Sequence, residues 1–458
     1  MKKRAAWAFL LIAAGAWSFL HSRRLNAAEG AAQKGEPATG KVTLAVVGGF
    51  LIDGFGGPPR PNAVILVEGE QIAAVGEEGR LEVPAGAKVI DANGYTVMPG
   101  LIDTHVHLDL LGHGVYPVWH PLVQDEYAEV MKVAAAQLLA HGVTTARDAG
   151  GELGASVETR EKIDRGELLG PRLLVSGDML VNWSEERMKT WYRKKISIWI
   201  HGAEQAGEAT RKLIEGGADF IKIRSPLTVE EIRAVTEEAH RQGKRVGAHV
   251  YTEEEVLNAV HGGVDILDHV GSGHQTPLYG DETLEILAET QIPIDPTLAH
   301  GVPVFRQRMA WPERMDDPQL RSELGKYAEV VLDSIRYLPG LGYFGNITQD
   351  KRALPRAARQ LFQAGGKIVL GTDSGTPAFF HSDAVWLEAK SYVDLMGMTP
   401  NEAIISATKN AAAALGVNTG VIDPGRLADM ILVKGNPLED ISYLQNVEHV
   451  IKGGVQYR

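Results

Sequence analysis

Gly100-Leu-Ile-Asp-Thr-His-Val-His-Leu108 is the stretch from which the rest of the chain can be read. It is an apolar, strand-like run that closes on two histidines spaced two apart, and alternate side chains of a strand share one face. Both imidazoles, His105 and His107, are therefore placed to clasp one metal ion. From this point onward, short apolar runs alternate with amphipathic helical stretches, the pattern of parallel β/α architecture. Eight candidate strands are read, at 100–108, 143–149, 172–177, 219–223, 245–250, 266–270, 292–298 and 368–373. Eight is the number that closes a barrel. Segments between them keep a helical period: 229–242 aligns Ile232, Val235 and Ala239, and 203–215 aligns Ala206, Ala209, Leu213 and Ile214.

Upstream, 42–49, 64–68, 71–75 and 88–91 are short β-type runs separated by Gly, Pro and Asn, and 425–433 and 448–457 read as strands again. The expected fold is α/β: a (β/α)8 barrel of the TIM type at 98–413. A small β-sandwich is built from both chain ends, 41–97 and 414–458. Two long connections, 178–201 with Trp183, Trp191, Tyr192 and Trp199, and 299–351 with a helical piece near 320–337, have the length of lids or substrate walls.

At 458 residues the chain holds a barrel of about 250 residues plus an accessory unit. Its 46 bases against 58 acids give −12, and residues 1–28 carry five bases (Lys2, Lys3, Arg4, Arg23, Arg24) and no acid. Without that segment 41 bases face 58 acids, a charge of −17 that repels phosphate backbones and anionic lipid, which excludes nucleic-acid binding. Basic residues 2–4, an apolar run 5–20 and small residues at Ala27 and Ala28 outline an export signal, followed by a polar linker at 29–40. Arg23 and Arg24, just after the apolar run, leave an uncleaved N-terminal anchor as the alternative. A periplasmic or extracellular protein is expected, touching a membrane only through that segment; homo-oligomerisation is left open. The chain has no cysteine, so disulfides and thiolate ligands are excluded, and a metal must be held by His, carboxylate or something less usual.

His249, His269 and Asp373 close the fifth, sixth and eighth candidate strands, where barrel enzymes keep their catalytic groups. A buried polar residue at each tip needs a partner, and a shared metal supplies one for all; separate hydrogen bonds are the alternative. Lys222 closes the fourth strand among apolar neighbours. Burial lowers a lysine's pKa, and a neutral amine can add CO2 to form a carbamate able to bridge two ions. The alternative is a structural ion pair with Asp373 or another carboxylate. Arg224 and Tyr251 lie just past strand tips as substrate contacts, Arg224 for a carboxylate, or else as solvated surface residues. His113, His120, His274, His300 and His381 are further candidates for the mouth, whereas His141, His240 and His261 fall near helix C-termini, where histidine caps.

Met98-Pro-Gly-Leu-Ile-Asp-Thr-His-Val-His107 resembles the metal-binding signature of the amidohydrolase superfamily. Gly142-Val-Thr-Thr-Ala-Arg-Asp148, Gly170-Pro-Arg172, Asp219-Phe-Ile-Lys-Ile223, Gly371-Thr-Asp-Ser-Gly375 and Pro424-Gly-Arg-Leu-Ala-Asp-Met430 are similar to its branch related to imidazolonepropionase and Xaa-Pro dipeptidases. The resemblance runs from about residue 41 to the end. It implies that His105 and His107 bind one divalent ion and His249 and His269 a second, both of the zinc kind. It further implies that carboxylated Lys222 bridges them and that Asp373 binds metal and shuttles protons. Two features depart from the pattern: the lysine strand runs through Arg224-Ser-Pro-Leu227 straight into a helix, and the third-strand loop offers Trp183, Trp191 and Arg193 in place of a Gly/His-rich stretch.

The implied activity is metal-dependent cleavage of an amide-type C–N bond, in a dipeptide or N-acyl amino acid, by a hydroxide bridging the two ions. A mononuclear deaminase or cyclic-amide hydrolase is the rival, opposed by Thr252 where such deaminases often carry a glutamate three residues after the fifth-strand histidine. A silent periplasmic binding protein on the same fold is the other, since fold alone never proves activity.

Overall fold

The histidine-bearing run forms a strand, Leu101–Val106, buried at every position. In this computed structural model, which describes residues 41–190, 193–224, 226–270, 278–299, 312–336 and 353–458, that strand is paired on both sides. The export segment and linker expected at 1–40 lie outside the described residues. On one side Val143–Asp148 and then Arg172–Val175 follow in parallel. On the other lies 368–374, joined by a parallel bridge between Val106 and Ser374 and by the Thr104 amide donating to the Leu370 carbonyl at 2.9 Å. That segment bridges through Ile368 to Ile294–Asp295. The parallel ladder then continues through Ile266–Asp268, Arg245–His249 and Phe220–Ile223 to Met179–Val181 and Ser197–Trp199. The Asp219 amide donates to the Val175 carbonyl at 2.8 Å and joins the two runs.

Three expected strands differ in detail. The run expected at 368–373 forms no regular strand: it bridges Ile294 through Ile368 and Val106 through Ser374, and its amides divide between backbone carbonyls, Leu370 to Ser406 and Asp373 to His105, and side chains. The Thr372 amide goes to the Asp103 carboxylate at 3.1 Å, and the Ser374 amide to Thr372 Oγ1 at 3.0 Å. The seventh shrinks to Ile294–Asp295. The third ends at Val175, and the connection 178–201 then contributes the strands Met179–Val181 and Ser197–Trp199 around a short helix, Glu185–Thr190. Intervening helices follow the sequence period. Val229–Arg241 starts with a capping box between Thr228 and Glu231 and buries Ile232, Val235 and Ala239; Gly202–Glu215 buries Ala206, Ala209 and Leu213. No described helix is long and apolar enough to cross a membrane.

Two further sheets lie outside the ladder, the first built from the N-terminal part and the second from both chain ends. One orders Gln71–Glu77, Ala63–Glu68, Leu44–Val47 and Lys88–Asp91. The other orders Val455–Gln456, Val447–Lys452, Met430–Val433, Thr96–Pro99, Phe50–Leu51 and Arg60–Pro61. Thr96–Pro99 pairs antiparallel with Met430–Val433, and Leu44, Ile65, Val97, Met430 and Leu432 share one apolar cluster. Only Gly100 separates Thr96–Pro99 from the histidine strand, so this sheet sets where that strand begins.

Inside the parallel ladder the side chains are not all aliphatic. Arg147 is 2% exposed and reaches Asp268 and Asp295, neither of which is exposed at all. Gly247 makes the room: a Cβ there would lie 2.5 Å from Arg147 Nη1. Gly247→Ala should therefore push the guanidinium off its partners and lower the unfolding free energy by about 1–3 kcal/mol, read from denaturant unfolding.

Candidate metal centre

His105 and His107 stand at the end of the first parallel strand with ring centroids 5.4 Å apart. Asp373 Oδ1 lies 3.6 Å from His105 Nε2 and 3.3 Å from His107 Nε2. The His269 ring is 4.7 Å from that of His105, and the His249 ring 4.4 Å from that of His269. Tips of the first, fifth and sixth strands and of the segment 368–374 thus bring four imidazoles and a carboxylate into one buried cluster. His269 and Asp373 hold φ of 69° and 59°, left-handed conformations that bulky side chains avoid and that cluster at functional sites.

Below the cluster runs an ionic network. Lys222 Nζ and Arg147 both donate to Asp268, and Arg147 Nη2 lies 3.4 Å and Thr104 Oγ1 3.3 Å from Asp295 Oδ2. Burial pushes the Asp268 carboxyl up, but Arg147 and Lys222 outweigh it and hold the group down at about 2. Asp295 goes the other way, raised by burial and by the Asp268 charge. Burial lowers Lys222; Asp268 opposes the shift and Arg147 adds to it.

Both nitrogens of His105, Nε2 of His249 and Oδ1 of Asp295 are buried without a hydrogen-bond partner. Atoms of this kind are nearly always paired, so orphans facing one another mark a place for a ligand that accepts lone pairs. Burial holds His105, His249 and His269 well below the usual imidazole range, which keeps them neutral and their lone pairs available. Burial opposes ionisation of Asp373, yet the bond from the His107 imidazole holds its carboxyl well below the usual carboxylate range. Ligand atoms of His105, His107 and Asp373 lie within 4.8 Å of one another, and His105, Asp268 and Asp295 form a second such group. A set of imidazole and carboxylate donors suits a divalent ion of the zinc kind. The residues fit the metal.

Residues 96–456 match the amidohydrolase family. The chain belongs to that family. Relatives include ochratoxinase from Aspergillus niger, 27% identical over 91% of this chain and 87% of the relative, and imidazolonepropionase from Geobacillus kaustophilus, 26% identical over 86% and 89%. Among solved structures, a Xaa-Pro dipeptidase with methionine bound in its active site superposes with a TM-score of 0.73 at 26% identity, covering 91% of this chain and 99% of that one. The resemblance read from the motifs is borne out. This amidohydrolase is a hydrolase of C–N bonds, an α/β protein whose fold neighbours are of the TIM-barrel type.

The remaining residues singled out in the sequence fall into place around the cluster. Lys222 is ion-paired, with Asp268 and not with Asp373. The Tyr251 ring is 4.3 Å from that of His249 and 5.5 Å from that of His269, and the Arg224 guanidinium lies 5.7 Å from the Trp183 ring; both residues are half-buried rather than freely solvated. His113, His120 and His381 are buried in other contacts, His381 between Ser374 Oγ at 2.7 Å and the Leu110 carbonyl at 2.9 Å. His141 follows the helix Tyr127–Ala140 and bonds Glu323 at 3.0 Å, a capping position as expected. His274, His300, Trp191 and Tyr192 lie outside the described residues.

Arg147, Asp268 and Asp295 escaped the sequence reading, although each is a charge inside an apolar run, and a buried charge demands a partner. Thr297 was also missed. Its Oγ1 lies 2.8 Å from His269 Nδ1, and the next two amides, of Leu298 and Ala299, donate to the buried Glu388 carboxylate at 2.7 and 2.6 Å. An outer partner of this kind fixes ring orientation, so Thr297→Val should weaken metal affinity by about 10–100-fold, measured by competition with a chelator.

Proposed function

We propose that this amidohydrolase holds two divalent ions of the zinc kind and hydrolyses an amide-type C–N bond in a dipeptide or N-acyl amino acid. The carrying observation is the set of buried, partnerless nitrogens on His105 and His249 in one cluster with His107, His269 and Asp373. We read the parallel ladder as a closed (β/α)8 barrel at 98–413 and the paired end sheets as a β-sandwich from 41–97 and 414–458. The two-sided pairing of Leu101–Val106 and the pairing of Thr96–Pro99 with Met430–Val433 support this reading. The composition of residues 1–28 supports export to the periplasm or the medium.

His105 and His107 would hold one ion, His249 and His269 the other, and a carbamate on Lys222 would bridge them. Bound ions of this kind polarise the scissile carbonyl and make hydroxide available near neutral pH. The lysine is suited to its part because burial favours the neutral amine that adds CO2. One hydrogen stays on Nζ after that addition, so its bond to Asp268 can persist. Asp373, ionised beside the histidines, takes the proton of the attacking water and passes it to the leaving nitrogen. Arg224 would bind a substrate carboxylate, with Tyr251 and the Trp183 face walling a bulky apolar or Pro-like residue. Methionine in the active site of the similar Xaa-Pro dipeptidase supports a substrate built from amino acids.

Elemental analysis of the wild type should give about two ions per chain, and Lys222→Ala should lose metal together with dipeptide and N-acyl amino-acid hydrolysis. One ion or none, with Lys222→Ala indifferent, sinks the two-ion reading. Asp373→Asn tolerates the left-handed backbone, so the fold should survive while turnover drops by about 10²–10⁴-fold in a steady-state assay.

A further inference from the structure

The buried ion pair between Arg193 and Asp109 has no use in this mechanism. Arg193 is 6% exposed, and Asp109 is not exposed at all. Arg193 Nη2 donates to Asp109 Oδ1 at 3.0 Å, to Asp109 Oδ2 at 3.1 Å and to the Gly150 carbonyl at 3.1 Å. It also lies 3.4 Å from His107 Nδ1, and that same Nδ1 is 3.1 Å from the Gly150 carbonyl. We infer that Arg193 is a positioning residue for His107: it pins the carbonyl against which the imidazole is oriented and so ties the connection 178–201 to the metal centre. The inference rests on the metal-binding reading of the site.

The hydrogen-bond roles follow from the chemistry of the groups. A carbonyl only accepts, and its two lone pairs can serve two donors; a guanidinium only donates. The two hydrogens on Arg193 Nη2 are claimed by a carboxylate and a carbonyl, both stronger acceptors than a ring nitrogen at 3.4 Å. Nδ1 of His107 therefore carries its hydrogen toward Gly150, and Nε2, in contact with Asp373 at 3.3 Å, is the nitrogen that surrenders its proton and lends its lone pair when an ion binds. That is the tautomer a metal requires. Gly150 can present its carbonyl in this way because it has no side chain: φ is 142°, and a Cβ would lie 2.7 Å from Met179 Cγ and Sδ.

Asp109 is a fixed anchor, since its own carbonyl accepts from Trp119 Nε1 at 2.9 Å. The carbonyl of Arg193 in turn accepts from the Ile196 amide and from Ser197 Oγ, each at 3.0 Å, which seats the end of the connection. The start of the connection carries Trp183, beside Arg224. One guanidinium thus fastens a substrate wall to a metal ligand.

The test uses the full chain, stripped of metal and reloaded with Co2+, in the wild type and in Arg193→Gln, Arg193→Lys and Asp109→Asn. Co2+ affinity by chelator competition, the visible ligand-field spectrum and the thermal melt are read on each. Variants that melt cooperatively should bind Co2+ about 10–100-fold more weakly with an altered spectrum, and Lys, which keeps the charge but not the planar fork, should fall between Arg and Gln. Folded variants with wild-type affinity and spectrum overturn the positioning role, and Arg193→Lys and Asp109→Asn decide the matter if Arg193→Gln does not fold. A wild type that takes up no Co2+ overturns the metal-binding reading itself, and the inference with it.

Discussion

Asp268 carries two cations, Arg147 and Lys222, in a space from which water is excluded. Removing Asp268 would leave both cations without their shared anion where the dielectric is low, a loss of about 3–5 kcal/mol in comparable pairs. This constraint explains much of the ladder around it. Glycine stands at position 247 because the guanidinium needs the room, and Thr104 turns its hydroxyl inward because Asp295 must be satisfied. Lys222 is held at the floor of the histidine cluster while burial biases it toward the neutral amine. The same network therefore stabilises the interior and prepares the group on which the two-ion reading turns.

Above that floor, order is set by outer contacts more than by the strands themselves. His107 leans on a carbonyl, His269 on the Thr297 hydroxyl, and Thr297, itself at φ 47°, precedes two amides gripped by Glu388. Backbone strain at His269, Thr297 and Asp373 is tolerated because each of these residues is fixed by several such contacts. Regular ladder geometry would have sent successive side chains to opposite faces of the sheet; the left-handed residues depart from that alternation at the strand tips.

What the sequence discloses, and what it hides, divides along the same line. His105, His107, Lys222, His249, His269 and Asp373 are legible because each closes an apolar run, and a polar side chain at a buried strand tip has few alternative uses. Arg147 and Asp268 lie within runs whose period is right, and which of them pairs with which depends on strand neighbours that no local pattern encodes. The run 368–373 looks like a strand by composition, yet its Leu370 amide turns to the Ser406 carbonyl and its Thr372 amide to the Asp103 carboxylate. Ser197–Trp199 was hidden in the opposite way: its aromatic surroundings suggested a loose substrate wall, whereas it pairs in parallel with Met179–Val181.

The pairing of Thr96–Pro99 with Met430–Val433 bears on the order in which the molecule assembles. More than three hundred residues separate the two partners, so this contact closes a very long loop, the kind that forms slowly and late. During synthesis Phe50–Leu51 offers one neighbour to the lead-in of the His105 strand early, whereas the other comes only with the last part of the chain. The C-terminal tail thus closes the sheet that leads into the histidine strand, and a chain cut short before residue 430 would leave Thr96–Pro99 with one neighbour in place of two.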